Sequence, residues 1–148
     1  MFSSLLSDVR VALTEAFDRN FERKAFFTDA WKARRYYNPR GSLLMVTGTL
    51  RRSIKSVVRG ASVRFSSAVP YAVIHNEGLK GGVSVRSHSR RSRKGRAYTG
   101  RAHQRMVQMP ERRFIGDSPE VRRIIKRVFD ENLRQIQEQM NINLKQPR

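Results

Sequence analysis

The sequence predicts an α+β fold in which a small antiparallel sheet with hairpins packs against long N-terminal and C-terminal helices. Three observations predict it. Apolar residues recur with a helical period at both ends of the chain. Between those ends, short runs alternate polar and apolar residues, as half-buried strands do. Glycine and proline separate the runs. The 148 residues suit one domain, 1–148, which at this size buries about 70% of the unfolded chain's surface.

The first element is a helix from about Ser3 to Lys24. Phe2, Leu5, Leu6, Val9, Leu13, Phe17 and Phe21 form its apolar stripe, and Asp8, Glu15, Asp18 and Arg19 fall mostly off it. Phe26, Phe27, Trp31, Tyr36 and Tyr37 follow with weaker periodicity. Core packing at the helix–sheet junction outweighs base stacking as their role. Asn38-Pro39-Arg40-Gly41 is a turn that ends the segment.

Ser53–Arg59 and Ser62–Ser66, joined at Gly60-Ala61, form a hairpin with one dry face. Pro70 opens a short apolar run, Tyr71 to Ile74, closed by Gly78, which fits one or two helical turns. Leu79 to Met109 reads as two strands joined by a long basic loop or hairpin excursion, residues 86–105, mobile until a partner binds. The last helix runs from about Pro119 to Met140. Ser118 caps it, Pro119 suits its first position and Glu120 favours the positive end of its dipole. Val121, Ile124, Ile125, Val128, Phe129, Leu133, Ile136 and Met140 keep the period, and residues 141–148 are expected to fray.

Charge is unevenly spread. Lys plus Arg number 31 against 12 Asp plus Glu, a net charge of +19. Residues 79–113 hold 11 basic side chains and 1 acidic one, so half the excess lies inside the chain rather than in a tail. A polyanionic neighbour follows: nucleic acid first, an acidic protein surface second, a membrane surface third. No run is long and apolar enough to span a bilayer.

Few catalytic chemistries fit. With no cysteine there is no thiolate site and no disulfide framework. His75, His88 and His103 match no metal-ligand spacing, and no phosphate loop or nucleophile elbow is present. The few carboxylates lie mostly on the two predicted helices, whereas a two-metal nuclease needs several converging ones. His75 and Glu77 make only a weak acid/base pair. A histidine hydrogen-bonded at a helix end is the heavier reading. No catalytic residue, metal or cofactor is expected.

Three stretches carry a resemblance: Val46-Thr47-Gly48-Thr49-Leu50-Arg51-Arg52-Ser53-Ile54, Val69-Pro70-Tyr71-Ala72-Val73-Ile74-His75-Asn76-Glu77-Gly78, and Arg113-Phe114-Ile115-Gly116. In this order and spacing the chain, from about Trp31 to Leu133, resembles the phage virion morphogenesis family of tail completion proteins. The resemblance implies a structural, non-enzymatic subunit at the head–tail neck. It implies a ring of copies, taken as hexameric, beside other neck, connector and tail proteins. The location would be the virion, and the host cytoplasm during assembly. A nucleic-acid-binding protein of another kind, ribosome-associated or DNA-binding, is the alternative that the charge favours.

Within the motifs, Gly48 can adopt backbone angles closed to other residues ahead of Leu50. Arg51 and Arg52 are either available to a neighbour's carboxylates or simply solvated. Pro70 fixes a corner, and Tyr71 can bury its ring while its hydroxyl finds a partner. His75 and Gly78 close that motif. Phe114, ahead of Gly116, anchors the last helix to the sheet. Core packing outweighs partner contact for Tyr71 and Phe114. The stretch from Gly82 to Pro110 is longer and more basic than the resemblance leads one to expect. Its candidate contacts are Arg86, Arg90, Arg91, Arg93, Lys94, Arg96, Arg101 and Arg105. They can face packaged DNA, clasp acidic neighbours, or form a solvated arm that orders on assembly, since Arg pairs with phosphate and carboxylate alike.

Overall fold

A computed structural model describes residues 2–145. Helix α1 spans Phe2–Arg23, followed by a minimal hairpin of β1 (Ala25–Phe26) and β2 (Asp29–Ala30). After an irregular stretch come α2 (Thr49–Ser53), the hairpin β3 (Ile54–Arg59) and β4 (Ser62–Ser67), and α3 (Tyr71–Glu77). Then follow β5 (Leu79–Val85), β6 (His88–Arg91), β7 (Ala97–Gly100) and β8 (His103–Met109). Helix α4, Pro119–Lys145, ends the described chain. The class is α+β, as expected. The strands, however, form four separate two-stranded antiparallel ladders instead of one sheet. None of these hairpins carries a third strand among the described residues, so helices must cover whatever faces are buried.

The helical stripes explain the core. Val9, Leu13 and Phe17 of α1 meet Val121 and Val128 of α4, and Phe26 completes the cluster. The β3–β4 hairpin lays Val63 and Phe65 against it. In register, Ser56 opposes Phe65 and Val58 opposes Val63, so alternate residues turn inward. Phe65 meets Phe17 edge to face at 5.0 Å. A second cluster joins Phe21, Trp31, Leu50, Ala72 and Phe114. Both cores are aromatic-rich, and the edge-to-face geometry adds to area burial.

Buried polar side chains tie distant segments together. Asn20 is wholly buried. Its Nδ2 donates to the Phe114 carbonyl at 3.2 Å, and its Oδ1 accepts from the Phe27 N–H at 3.0 Å. Trp31 Nε1 donates to the Arg113 carbonyl at 2.6 Å. Buried Arg112 donates to the carbonyls of Lys32 and Ala33. Such groups must be paired once removed from water.

Several expectations change. Phe26 and Trp31 are core residues, but Tyr36 and Tyr37 are 75% and 91% exposed, because the stretch after Trp31 runs over the surface. Arg34 holds that stretch through the carbonyls of Asn38, Gly41 and Ser42. Helix α4 continues to Lys145 past the expected stop near Met140; positions 146–148 of the expected frayed tail lie outside the described residues. The start of α4 is as expected: the Val121 N–H donates to Ser118 Oγ at 3.3 Å.

Candidate interaction site: the basic arm

The expected excursion is itself a ladder. β5 pairs with β8 from Leu79↔Met109 to Val85↔His103, and β6 pairs with β7 from His88↔Gly100 to Arg91↔Ala97. Two residues on each strand, Arg86-Ser87 and Arg101-Ala102, separate the ladders without changing the register. The result is one long hairpin arm, about 40 Å at roughly 3.3 Å per residue. The basic stretch is therefore not a plain loop. Its serines and arginines pair by backbone although they carry no apolar alternation.

The arm closes in a three-residue turn. Ser92 N–H donates to the Arg96 carbonyl at 2.8 Å, and Gly95 N–H to the Ser92 carbonyl at 2.9 Å. Gly95 takes φ 81°, the left-handed residue that such a turn needs. This puts Arg93 and Lys94 at the very tip. At the interruption, His88 Nδ1 donates to the Arg86 carbonyl and His103 Nδ1 to the Arg101 carbonyl, each at 3.0 Å.

From Leu79 to Met109 no residue is buried. This span holds nine basic residues and no acidic one. Among the described residues none of the nine forms an ion pair. Arg86, Arg90, Arg91, Arg93, Lys94, Arg96, Arg101 and Arg105 are all exposed. The first seven flank or form the distal ladder and its turn, whereas Arg105 lies in the proximal ladder opposite Val83.

The root of the arm is rigidly built. Gly78 has φ 77°, and a Cβ there would lie 3.0 Å from the Glu111 nitrogen and 3.1 Å from the Met109 oxygen. Only glycine allows the departing and returning strands to pass so closely. Across the root, Arg112 N–H donates to the His75 carbonyl at 2.8 Å. Asn76 Oδ1 accepts from the N–H groups of Phe114 and Ile115 at 2.9 and 3.1 Å. The second and third sequence motifs thus meet in space and carry the arm between them.

The remaining motif residues divide. Gly48 has φ 69° at the start of α2, and Leu50 is buried behind it. Pro70 precedes the first turn of α3. Phe114 is 2% exposed, and the Arg113 side chain folds over Gly116. Tyr71 corrects the expectation of a buried ring: it is 42% exposed and stands edge-on to His75 at 5.9 Å. Arg51 is corrected too, whereas Arg52 stays exposed. Arg51 binds Asp18 and Glu22 of its own α1, and Arg52 donates to the Thr47 carbonyl at 2.8 Å. Arg51 therefore holds Asp18 below the usual carboxylate range, chiefly by hydrogen bonding.

His75 lines a cleft of about 270 Å³ with Tyr71, Leu50, Arg34 and Arg112. Burial, and then the charge of Arg112, lower its pKa. Both guanidiniums are already engaged by backbone carbonyls. No hydrogen bond joins His75 to Glu77 among the described residues. His75 Nδ1 is buried with no hydrogen-bond partner among the described residues, and no carboxylate lines the cleft to pair with it.

Sequence reasoning missed Asn20, Asn76 and Arg112. Asn76 lay inside a recognised motif. Asn20 interrupts an otherwise apolar helix face between Phe17 and Phe21, a signal that could have been read. Arg112 was one cation among many, with no local mark of burial.

Among the described residues no helix is long and apolar enough to cross a membrane, and no group of acidic, histidine or cysteine side chains could hold a metal ion. No match exists among the curated proteins or the solved structures. A family model does match, over residues 3–134, and so includes all three motifs, the arm and most of both long helices. On that evidence the chain belongs to the phage virion morphogenesis family.

Proposed function

We propose that this protein is a tail completion protein of the phage neck, a structural and non-enzymatic subunit acting as a ring at the head–tail interface. The observation that carries the proposal is the arm. A rigid two-helix body presents an uncovered hairpin whose nine cations have no carboxylate partners among the described residues. A chain that makes no use of so much charge internally has it available for neighbours. A ring of six such subunits, each at +19, would carry on the order of a hundred positive charges and would repel itself without anionic surroundings. Connector, neck and tail proteins or packaged DNA can supply them.

The body acts as a wedge that sets where the arm points, and the arm makes the contact. The subunit would work in the virion after assembling in the host cytoplasm. Genetic removal tests the reading. Particles lacking the protein should separate into heads and tails, or bear tails with defective upper ends, in electron micrographs. Intact infectious particles without it would reject the proposal.

A further inference from the structure

The two halves of the arm differ in chemistry. On the proximal ladder, one face gathers Leu79, Val83, Val85, Val107 and Met109, with Arg105 and His103 on the same side toward its far end. The distal half has no such face. From Arg86 to Arg101 there are seven cations and no carboxylate, interleaved with Ser, Gly, Thr, Ala and His88, and Tyr98 is the one phenolic ring. Its charge also occupies both faces of the ribbon. Arg90 shares a face with Tyr98 opposite it, Arg91 lies on the other face opposite Ala97, and Arg93 and Lys94 extend past the turn.

We propose that the distal ladder, β6–β7 with its turn, is a ribbon that binds duplex DNA without sequence preference, seated in the major groove. This deepens the neck reading by naming the partner of the same arm, and it rests on that reading for the nearness of packaged duplex. Three physical arguments select DNA over an acidic protein surface. A protein surface touches one face of a ribbon and would leave the opposite cations unmatched, whereas a groove has phosphates on both walls. Protein interfaces have an apolar, aromatic core, which this half of the arm lacks. A two-stranded ribbon, with strands about 4.8 Å apart, enters a major groove about 12 Å wide. The small hydroxylated residues let the backbone approach and donate to phosphates.

The test uses the purified full chain and a labelled random duplex of about 24 base pairs, with fluorescence anisotropy from about 50 to about 200 mM salt. Neutralising Arg90→Gln, Arg91→Gln and Arg93→Gln together should reduce the log–log salt slope by about 2.7 and weaken binding about tenfold or more at the higher salt. A control with the same charge loss on exposed body positions, Arg59→Gln, Arg64→Gln and Arg123→Gln, should change the slope by less than about 1. Equal losses from the two variants, or displacement of the duplex by polyglutamate at equal charge concentration, would overturn the proposal, the latter in favour of an acidic protein partner. Thermal melts of both variants show that the body is unchanged. Duplex carrying 5-bromodeoxyuridine, whose halogen lies in the major groove, should photocrosslink to the peptide containing Tyr98. Binding without that crosslink would overturn the groove assignment. Separated heads and tails with no DNA binding would sink this inference alone. DNA binding with normal particles in the absence of the protein would sink the neck reading.

Discussion

The β3–β4 hairpin and the arm are built from the same element with opposite results. Both are antiparallel ladders that gather their apolar residues on one face. The first puts Phe65 into an aromatic contact with Phe17, and Thr14 Oγ1 lies 2.9 Å from Ser56 Oγ, so a helix covers its dry face. The second has Gly81 and Gly82 where the first has β-branched residues, mixes Arg105 and His103 among its aliphatic side chains, and reaches beyond its root without a buried residue. An isolated two-stranded ladder is marginal in water. The arm persists because Gly78, His75, Asn76 and Arg112 clamp its base. Alternation therefore forms a hairpin, but a large inward side chain docks it.

Phe65→Ala should produce the largest effect, a loss of roughly 3 kcal/mol in urea unfolding, because the core contact is removed and a void is left. The matched change in the arm, Val85→Ala, should cost less than about 0.5 kcal/mol. Similar losses at both positions would erase the distinction between docked and free hairpins. Gly78→Ala comes next, at about 2 kcal/mol in the same assay, since its φ is left-handed and the added Cβ meets backbone at both strand ends.

A smaller effect is expected at the ion pair that fixes α2 beside α1. The Asp18 carboxyl is depressed in the folded chain by the hydrogen bond from Arg51. Its contribution is complete above the unfolded value of about 3.9 and disappears as pH falls through the lower folded value. Asp18→Asn should therefore flatten the loss of stability below about pH 4. Because its side chain is 44% exposed, the cost at neutral pH should stay below about 1 kcal/mol. Unfolding midpoints measured from pH 2 to 7 check both. The smallest effect belongs to the arm itself. Replacing residues 86–102 by Asn-Gly joins Val85 to its partner His103 through a two-residue turn. The melting temperature should move by only about a degree while DNA binding is lost. A large drop would show that the distal ladder supports the body.

The elements most legible in the sequence were those in which apolar spacing repeats. The Val121, Val128 and Phe129 stripe marks α4, and the Val63–Phe65 alternation marks β4. Pro70 and Gly78 bracketed α3 because each restricts or frees the backbone locally. The distal half was legible only as a loop or hairpin, not as a ladder in fixed register. His88–Arg91 and Ala97–Gly100 pair through backbone groups alone, and their side chains carry no period of two. The contacts of the candidate site were legible by residue type but not by fate. Arg51, which looked outward, meets carboxylates 29 and 33 positions away on α1. Tyr71 and Phe114 looked equally fit for the core, yet only Phe114 entered it.

By itself the sequence determined the helical stripes, the turn chemistry, the arm's nine unbalanced cations and the three motifs. These follow from spacing and residue type, which covalent geometry fixes along the chain. Only the tertiary structure decided that Arg112 is buried in body packing, that Asn20 and Asn76 lock its segments, and that the arm stands uncovered. Pairing and desolvation are set by neighbours remote in sequence, so a cation's role is not settled until the chain has folded around it.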